Sequence, residues 1–567
     1  MVYFFDKVVK TNSRTYVYKC MGEAVWENGK SKRLWQITIG REDLLAAEWQ
    51  TIKKKLATTK PNATWHEHGR VMALLSICKE LDLAGIIDRH VAKREQGFSA
   101  GQYFTILAIN RAVTLNSKRG VEDWFAKTTM ASQFPGMGDA LTPQNIWNHM
   151  GYLDQETIRS IEQDLCKAVL ATFDAMPDCF LFDPTNFFTY IREHERNTIA
   201  KHGYNKKKRY DLRQINTSLL VTRDDCNIPM MHETYDGNIP DVSHFKDAIV
   251  LMEQRFRAIG VTFPRITLVF DKGNNSVDAY QFLDEKGIHF VSSVRPSLTE
   301  IAPLLAIPLA KYKVLWSKDE ENDVLGYRTS TDMYLGKKNT LVVTFDNDTF
   351  KLHEYKLEQA IAKAINELSA FASKQLNSKP QWRDKDKVAT KIDRDILATK
   401  ELKALIPYVI EETSSGLQLT WNIDEAARAE ALKDAGKSFI FTNQNKWSTF
   451  DIVKTYRAQK GVEDQFKALN DREQISVMPM YHYTNQKIRA HVFISILALL
   501  ITNMLYRKLQ RHGIEGSMKK CFDLLDDIKE ITLDYGQDLP PEILLTNMSS
   551  IQKEMAEILN LEQSKQK

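Results

Sequence analysis

Between residues 179 and 296, apolar runs alternate with helical patterns, and this order constrains the fold more than any other feature of the chain. An amphipathic pattern at 243–260 and a second helical pattern at 276–287 separate the last three apolar runs. The runs with the length and composition of strands are CFLFD, QINTSLLVT, IPMMHETY, ITLVFD and IHFVSSV. Three strands joined as hairpins, then helix, strand, helix and strand, predict a mixed sheet covered by helices.

The predicted fold is a mixed α+β arrangement whose core has the strand order of an RNase H-like sheet. A strand-rich and highly charged stretch after residue 296 predicts a β-rich insertion domain that interrupts this core, with helical pattern resuming at 448. The turn Asn28-Gly29 predicts an N-terminal β-hairpin. The predicted domains are 1–60 (β unit and linker), 61–170 (helical), 171–296 and 446–515 (core), 297–445 (insertion) and 516–567 (helical tail).

Length and charge narrow the class of protein. A chain of 567 residues is too long for one core. Its 77 basic and 73 acidic residues give a net charge of +4, so the overall charge does not indicate nucleic-acid binding. Six cysteines without a CxxC pair indicate neither a disulfide framework nor a zinc site. The apolar run at 491–506 is short for a membrane span, so we expect a cytoplasmic protein without a membrane partner or a small-molecule cofactor.

Two acids follow apolar strand patterns in matching contexts. Asp183 follows CFLF and Asp271 follows ITLVF, and each is followed within two residues by proline or glycine. Neighbouring strands bring such ends together, and two close carboxylates repel unless a cation holds them. Hard oxygen ligands are those that Mg²⁺ prefers, and two such ions catalyse phosphoryl transfer. The alternative for Asp271 is an ordinary turn residue, because Gly273 and two asparagines come next.

A third acid is predicted on a later helix. Val462, Phe466 and Leu469 have the spacing of a buried stripe. Glu463 then lies at the edge of that stripe, where a side chain can reach the end of the sheet. An i,i+4 ion pair with Lys467 is the structural alternative.

Clustered basic residues are the predicted contacts with DNA phosphates. Four of them, Lys206, Lys207, Lys208 and Arg209, fall in the loop between the first two core strands and form a possible backbone clamp. In the helical domain the candidates are Arg111, Lys118 and Arg119, although a bare helical bundle fits the spacing nearly as well. The insertion carries Trp316, Trp382 and Trp421, which are either base-stacking residues or core residues.

Several motifs in this order resemble bacterial insertion-sequence transposases. They are LFDPTNFFTY, HGYNKKKRYDLRQINTSLLV, YDGNIPD, LVFDKGNNS, YRAQKGVEDQFKALN and RAHVFISILAL. The family is the DDE transposases of the IS-Four type, in its IS-sixteen-thirty-four-like branch. The resemblance extends from the N-terminal hairpin to about residue 510.

The resemblance implies a metal triad of Asp183, Asp271 and Glu463 that binds Mg²⁺ or Mn²⁺, with two ions expected. It also implies double-stranded transposon ends and target DNA as partners, and a homodimer on paired ends that acts at the bacterial nucleoid. Near the last acid the family has Tyr, then Arg, Glu and Lys. Tyr456 and Glu463 match, whereas the Arg and Lys positions hold Gln459 and Asn470.

The departures leave three basic residues as substitutes for the missing phosphate contacts: Arg457, Lys460 and Lys467. The departures at Gln459 and Asn470 also weaken any inference of a hairpin intermediate. The leading hypothesis is a transposase that binds terminal inverted repeats through residues 1–170, with 61–170 as the DNA-end-binding domain. It would cleave the transposon ends and join the 3′-hydroxyls to target DNA. The rivals are a DNA-binding protein without catalysis, derived from a transposase, and a branched-DNA nuclease on the same fold.

Overall fold

The computed structural model describes most of the chain. The described residues are 2–11, 14–27, 29–45, 48, 54, 61–92, 97–173, 177–192, 195–204, 209–224, 226–260, 266–295, 298–318, 322–536 and 539–561. They form two compact units. The first unit comprises Met1–Ile77, Asn116–Thr142 and Lys508–Lys567, and the second comprises Cys78–Leu115 and Pro143–Arg507.

The strands, in chain order, are β1 Val2–Lys10, β2 Thr15–Glu27, β3 Lys30–Arg41, β4 Asn62–Glu67, β5 Cys179–Thr189, β6 Arg213–Thr222, β7 Pro229–Asp236, β8 Thr267–Phe270, β9 His289–Val294, β10 Lys313–Ser317, β11 Asp323–Thr331, β12 Asn339–Asp346, β13 Tyr408–Thr413, β14 Gly416–Trp421, β15 Lys437–Thr442, β16 Lys529–Asp534 and β17 Glu542–Leu545.

The α-helices are α1 Gly69–Glu80, α2 Leu83–His90, α3 Ala100–Val113, α4 Val121–Ala126, α5 Met130–Gln133, α6 Met137–Ala140, α7 Pro143–His149, α8 Gln155–Leu170, α9 Asp241–Ala258, α10 Val277–Glu285, α11 Ala302–Leu305, α12 Asn347–Lys374, α13 Lys385–Lys391, α14 Lys400–Leu405, α15 Glu425–Ala431, α16 Thr449–Arg457, α17 Lys460–Asn470, α18 Asn485–Arg511, α19 Met518–Asp526 and α20 Ser550–Leu559.

A large mixed sheet organises the second unit. Among the described residues it has nine strands in the order β10-β11-β12-β15-β9-β8-β5-β6-β7. The pairs β5–β8 and β8–β9 are parallel, and the other pairs are antiparallel. The predicted hairpin at 214–235, the strands after it and the helices between them are confirmed. The mixed α+β class follows from these elements.

The two faces of this sheet are packed differently. One face is aliphatic, with Leu181, Val269 and Val291 packed among residues of α16, α17 and α18. The other face is aromatic: Phe182 lies 5.5 Å from Phe245 of α9, measured between ring centroids, and other rings from α9 and α10 join them. Because side chains alternate along a strand, the faces separate by residue parity. Residues 183 and 271 have the parity of the aliphatic face.

Residues 297–445 contribute to two layers. Strands β10, β11, β12 and β15 continue the large sheet beyond β9. The residues between β12 and β15 form a second core, in which helices α12, α13 and α14 pack with the β13–β14 hairpin around Leu368, Phe371 and Ile392. The predicted insertion therefore extends the large sheet as well as adding a helical layer.

The N-terminal hairpin is confirmed in the first unit. Strand β2 pairs with β3 from Glu27↔Lys30 onward, so two residues connect them, and Gly29 has the positive φ of 77° that a tight hairpin requires. Asn28 lies outside the described residues. Strand β1 adds a third strand to this sheet.

The C-terminal residues differ from the predicted helical tail. They form α19, β16, β17 and α20, and β16 pairs with β4 at the other end of the sequence, from Lys529↔Glu67 to Asp534↔Asn62. An ion pair of 2.9 Å joins Arg70 to Asp526 in the same unit. A short strand of six residues has little periodicity of its own, and its pairing partner is distant in sequence. Because β16 pairs with β4, the described C-terminal residues are part of the folded first unit.

Helix α18 is longer than its apolar run suggests. By length and composition alone its 27 residues suffice to cross a membrane, with a mean hydropathy of 1.8 in the most apolar window. However, 94% of that window is buried within the protein. Such burial is typical of the core helix of a globular domain.

Helical residues 61–170 are distributed over both units, since α4–α6 belong to the first and α7–α8 to the second. The domain boundaries proposed from the sequence, including those at 170 and 296, stay predictions.

Candidate active site beside the end of β8

Asp183 and Asp271 occupy corresponding positions on neighbouring parallel strands. The β5–β8 pairing runs from Cys179↔Thr267 to Leu181↔Val269, and the two acids follow two residues later on each strand. The backbone of Asp271 is extended, with φ −85° and ψ 162°, so the alternation of side chains continues past the end of β8. Strands in a sheet lie about 5 Å apart, so the two acids are placed side by side on the aliphatic face.

Asp183 is not at the end of its strand, as the sequence suggested, but inside it. Strand β5 continues to Thr189, and Asp183 pairs with Leu219 of β6. Pro184 does not end the strand because the pairing with β8 has already stopped at Leu181, and proline is tolerated where one side of a strand is unpaired. The acid therefore lies where β8 ends, not where β5 ends.

Hydroxyl groups hold Asp271. The Ser293 hydroxyl on β9 donates to its Oδ1 over 2.7 Å, and the Tyr456 phenol of α16 lies 3.4 Å from the same oxygen. Ser293 Oγ also accepts from the backbone N–H of Lys272 over 3.1 Å. Asp271 is half-buried. Within the described ranges, its side-chain donors are neutral hydroxyls, which orient the carboxylate without compensating its negative charge.

The junction between α16 and α17 crosses the strands that carry the two acids. At its β8 side is Tyr456, and at its β5 side is Gln459, whose side-chain amide donates to the carbonyl oxygen of Phe182 over 2.9 Å. Glu463 follows in the first turn of α17 and is exposed. The predicted stripe is confirmed, because Val462, Phe466 and Leu469 are the buried residues of this helix.

The pKa of the Tyr456 phenol is affected by the neighbouring acids. Burial raises the pKa of its phenol, and the negative charges of Asp271 and Glu463 raise it further, while a hydrogen bond with Ser293 acts in the opposite direction. The tyrosine therefore stays protonated and can donate to Asp271 at neutral pH. The contribution of both acids also means that Asp271 and Glu463 lie in the neighbourhood of one phenol.

The three carboxylates are of a chemical type that suits a divalent cation, although they do not converge on one point. Asp183, Asp271 and Glu463 would supply hard oxygen ligands of the kind that Mg²⁺ and Mn²⁺ prefer. Within the described ranges, no three His, Cys, Asp or Glu side chains are close enough to hold a metal ion together. Asp183 and Asp271 thus come from two neighbouring strands, at or just beyond the end of their pairing, and Glu463 comes from α17.

Two predicted DNA contacts near the acids have partners within the protein. Arg457 Nη2 is 2.7 Å from Asp346 Oδ2, and its guanidinium lies 5.0 Å from the ring centroid of Trp316. Lys467 pairs with Asp464 over 2.5 Å and not with Glu463, the i,i+4 partner considered from the sequence. Lys460 is exposed at the start of α17.

Asp346 connects α16 to the extension of the sheet. Burial alone would raise the pKa of Asp346, but hydrogen bonds from Lys318 and Arg457 outweigh it and lower the pKa to about 2. The same carboxylate caps α12 by accepting from the N–H of Thr349 over 3.2 Å. Arg457 thus braces α16 against β12, and it must leave this pair before it can contact a phosphate.

The other predicted DNA contacts differ in their burial and in their partners within the protein. Arg209 pairs with Asp211 over 2.8 Å on the surface, and Lys206, Lys207 and Lys208 lie outside the described residues. In the first unit, Lys118 is half-buried and burial lowers the pKa of its amine, whereas Arg119 is exposed. In the second unit, burial lowers the pKa of Arg111 to about 10, and its guanidinium donates to the Ser476 carbonyl over 3.2 Å.

The three tryptophans of the insertion pack against other side chains. Trp382 lies 5.4 Å from Phe371, edge to face, and Trp421 packs in the same helical core. Trp316 packs edge to face on Phe450 at 5.6 Å. The core-packing interpretation thus describes Trp382 and Trp421, and Trp316 is engaged by both Phe450 and Arg457.

The sequence reasoning missed Ser293, Asp346 and the role of Gln459. Ser293 is one of two adjacent serines in an otherwise apolar strand, which is a weak signal for a polar contact. Asp346 follows the apolar strand NTLVVTF in the same way that Asp271 follows its own strand. Gln459 departs from the family motif, and no local pattern indicates its burial.

A second group of acids lies on the edge of the same sheet and is fully paired. Arg255 of α9 donates to Glu162 of α8 over 2.8 Å and to Glu233 of β7 over 2.9 Å, and Arg159 also pairs with Glu233 over 2.9 Å. His232 Nδ1 hydrogen-bonds to Glu162. Burial acts to raise the pKa of Glu162, but His232 and Arg255 outweigh it and lower the pKa.

Comparisons with known proteins do not establish a family. No family model matches the chain, and no curated protein matches it. One solved structure that resembles it is a cryo-electron microscopy structure of the piggyBac transposase synaptic complex with hairpin DNA. It has 9% sequence identity and a TM-score of 0.39 and covers 80% of this chain and 79% of that chain. Likeness at this level establishes neither a fold nor an activity for this protein, and the resemblance to insertion-sequence transposases stays a prediction from motifs.

Proposed function

We propose that this protein is a DNA transposase that cleaves transposon ends and joins their 3′-hydroxyls to target DNA by metal-dependent phosphoryl transfer. The observation that carries the proposal is the parallel pairing of β5 and β8, which ends at Leu181↔Val269, two residues before Asp183 and Asp271, together with the helical junction that leads to Glu463. The strand order β7-β6-β5-β8-β9, with three antiparallel strands followed by two parallel ones, supports an RNase H-like core.

The charges around the strand ends support a site that needs a cation. Asp271 receives hydrogen bonds only from neutral hydroxyls among the described residues, and no ion pair to Glu463 is formed there. The negative charges of Asp271 and Glu463 both act on the Tyr456 phenol, and like charges in one neighbourhood repel each other unless a cation is present. Two divalent ions, when bound, would stabilise the attacking and leaving oxygens of an in-line phosphoryl transfer.

The roles of this chain's own residues follow from their contacts. Ser293 fixes one oxygen of Asp271, and Tyr456 keeps its proton and orients the same oxygen. Asp183 presents a second carboxylate from the neighbouring strand, and Glu463 approaches from the helix. Nothing in this arrangement requires a covalent enzyme intermediate.

DNA is the proposed partner on the evidence of the motifs and the basic residues near the site. Lys460 is exposed one turn from Glu463, and Arg119 is an exposed cation of the first unit. Arg457, Lys467 and Arg209 would contribute only after exchange of their present acidic partners for phosphate. A homodimer on paired ends and a cytoplasmic location are part of the same proposal.

The test uses the full-length protein and linear DNA that carries the sequences flanking its own gene. With Mg²⁺, we expect cleavage at inverted repeats in those flanks and, with added plasmid, joined products visible on a denaturing gel. The Asp271→Asn variant is the catalytic control, and Asp464→Asn, beside Glu463, is the matched surface control. Equal cleavage by wild type and Asp271→Asn would exclude the assigned site.

A DNA-binding protein without catalysis is the second candidate. The observation that favours it is the absence of three metal-ligating side chains at one point in the described part of the chain. In that case, gel-shift titrations would show specific binding to the flanking ends, and neither Mg²⁺ nor Mn²⁺ would produce nicked or joined DNA. Cleavage of branched DNA without joining would instead indicate a nuclease.

A further inference from the structure

The sheet formed by β1, β2 and β3 has an apolar face that the described part of the chain leaves exposed. Met21 of β2 pairs directly with Phe4 of β1 on one side and with Ile37 of β3 on the other. Directly paired side chains lie on the same face of a sheet, so these three form a row across all three strands. Phe4 is 74% exposed and Ile37 is 55% exposed.

Two further apolar side chains extend this row along the strands. Trp35 lies two residues before Ile37 on β3, and Val8 lies four residues after Phe4 on β1. Because side chains alternate along a strand, both belong to the same face. Phe4, Val8, Met21, Trp35 and Ile37 define the apolar face. A contiguous apolar surface that stays exposed indicates a contact surface for another molecule.

The charges at the centre of the apolar face are balanced within the sheet. Lys19 of β2 pairs with Asp6 of β1 over 2.8 Å and with Glu42 over 2.9 Å. The indole N–H of Trp35 donates to Glu23 over 2.9 Å. The centre therefore has little field of either sign, and two identical faces can approach each other without strong repulsion.

Two arginines lie on the opposite face of the sheet. The guanidinium of Arg33 is 4.4 Å from the ring centroid of Phe5, and that of Arg41 is 4.8 Å from the ring centroid of Tyr16. Both rings are an odd number of positions from the apolar-face residues of their own strands, so they point to the other side. A polyanion such as DNA is attracted to cations, so the apolar face fits a protein surface better than it fits DNA.

We propose that the apolar face is the contact surface for a second copy of this chain. Two sheets pack face to face about 10 Å apart, with apolar side chains interdigitating between them. Met21 is the middle of the apolar row, so a two-fold axis along β2 brings Phe4 of one copy opposite Ile37 of the other. Such an interface is self-complementary, as the symmetry of a dimer requires.

The size of the face indicates a weak dimer that depends on protein concentration. Strand β1 has nine residues. At about 3.3 Å per residue and about 5 Å between strands, the face measures about 450 Å² in each copy, or about 900 Å² in total. Interfaces of this size are at the low end of those that form specific complexes. The inference rests on the proposed function only for the homodimer, whose contact surface it names, and it requires neither metal nor DNA.

The first test is sedimentation velocity of the full-length protein without DNA, over about 1–100 µM. The test variant is Ile37→Lys, which places a charge in the interface on an edge strand, where lysine is tolerated. The matched control is Val409→Lys, because Val409 is also β-branched, lies on strand β13 and is 54% exposed. We expect wild type and Val409→Lys to dimerise alike and Ile37→Lys to have a dimer Kd at least about tenfold higher. A wild type that is monomeric throughout, or equal Kd values for the two variants, would overturn the inference.

Cross-linking provides a second test that does not depend on the folding of the lysine variant. All six native cysteines are buried, so a cysteine placed at position 21 is the accessible thiol. Met21→Cys should form a covalent dimer with a short bismaleimide that spans the about 10 Å between packed sheets. Val409→Cys is the control site and should remain monomeric under the same conditions. Equal cross-linking at the two sites, or none at position 21, contradicts the proposed interface.

The outcomes separate this inference from the proposed function. If dimerisation depends on Ile37 but the flanking DNA is not cleaved, only the proposed function fails. If the DNA is cleaved but wild type is monomeric and Met21→Cys gives no covalent dimer, only the interface is wrong. If Ile37→Lys weakens DNA binding in gel-shift titrations and keeps the wild-type dimer Kd, the face binds DNA and the inference is overturned.

Discussion

Two groups of acids in the second unit differ in whether a positively charged side chain balances their negative charge. Glu162 and Glu233 are buried, and Arg159 and Arg255 pair with them. Asp271, at the end of β8, is half-buried and receives hydrogen bonds from neutral hydroxyls. The first group is neutralised by the protein itself. Among the described residues, Asp271 has hydrogen bonds but no cationic partner, an arrangement that favours the binding of a cation.

The difference separates structural acids from candidate functional ones. A buried ion pair that loses one member leaves an uncompensated charge and destabilises the fold. A carboxylate without a protein cation costs little stability when it is removed, and its removal can even relieve repulsion. The two groups therefore predict opposite consequences of one chemical change, the conversion of an acid to its amide.

The largest expected effect is the loss of DNA cleavage in Asp271→Asn. An amide cannot supply the negative charge that a divalent cation requires, so we expect the cleavage rate to fall by about 10³-fold, equivalent to about 4 kcal/mol of transition-state stabilisation. The measurement is single-turnover cleavage of the flanking-end substrate with Mg²⁺. Thermal stability without metal should be unchanged or higher, and a marked loss of stability would place Asp271 in the structural group.

The next effect concerns stability. In Glu162→Gln, His232 and Arg255 lose the charge that faces them, and we expect the free energy of unfolding to fall by about 3–5 kcal/mol. Urea unfolding followed by tryptophan fluorescence measures it. Glu156→Gln, an exposed residue on the same helix, is the control and should change little. Wild-type stability of Glu162→Gln would remove the contrast between the two groups.

A smaller effect on activity is expected for Tyr456→Phe. The phenol orients the carboxylate of Asp271 without being a ligand, so its loss should lower the cleavage rate at limiting Mg²⁺ by about tenfold, with partial recovery at high Mg²⁺. Rates across a Mg²⁺ titration provide the measurement. Tyr481→Phe alters an exposed tyrosine of the same unit and should behave as wild type. Equal sensitivity of the two variants to Mg²⁺ would argue against an orienting role.

The smallest effect is the pH-dependent contribution of Asp346. Its folded pKa of about 2 lies below the ordinary value of about 4, so its pairs with Lys318 and Arg457 stabilise the fold above pH 4, and this stabilisation is lost as the pH falls toward 2. At pH 6, Asp346→Asn should cost about 1 kcal/mol, because its partners are partly exposed. Melting curves at pH 6 and pH 3 should show the difference between variant and wild type shrinking. A constant difference would contradict the assignment.

The amino-acid sequence by itself determined the elements that carry the candidate acids. The apolar runs before Asp183 and Asp271 form β5 and β8, and the helical spacing of Val462, Phe466 and Leu469 leaves Glu463 at the edge of the buried stripe of α17. These features depend on local periodicity, because the spacing of apolar residues along a strand or helix determines which of its faces is buried. The hairpins at Gly29 and between β6 and β7 were predicted on the same basis.

Only the tertiary structure decided how these elements meet. It put Asp183 inside β5, paired β16 with β4, engaged Arg457 with Asp346 and buried Gln459 against Phe182. Each of these contacts joins residues that are far apart in sequence, and a single polar side chain has no periodicity that announces its partner. Register, ion pairing and burial of individual polar groups are set by packing between elements, which local patterns do not encode.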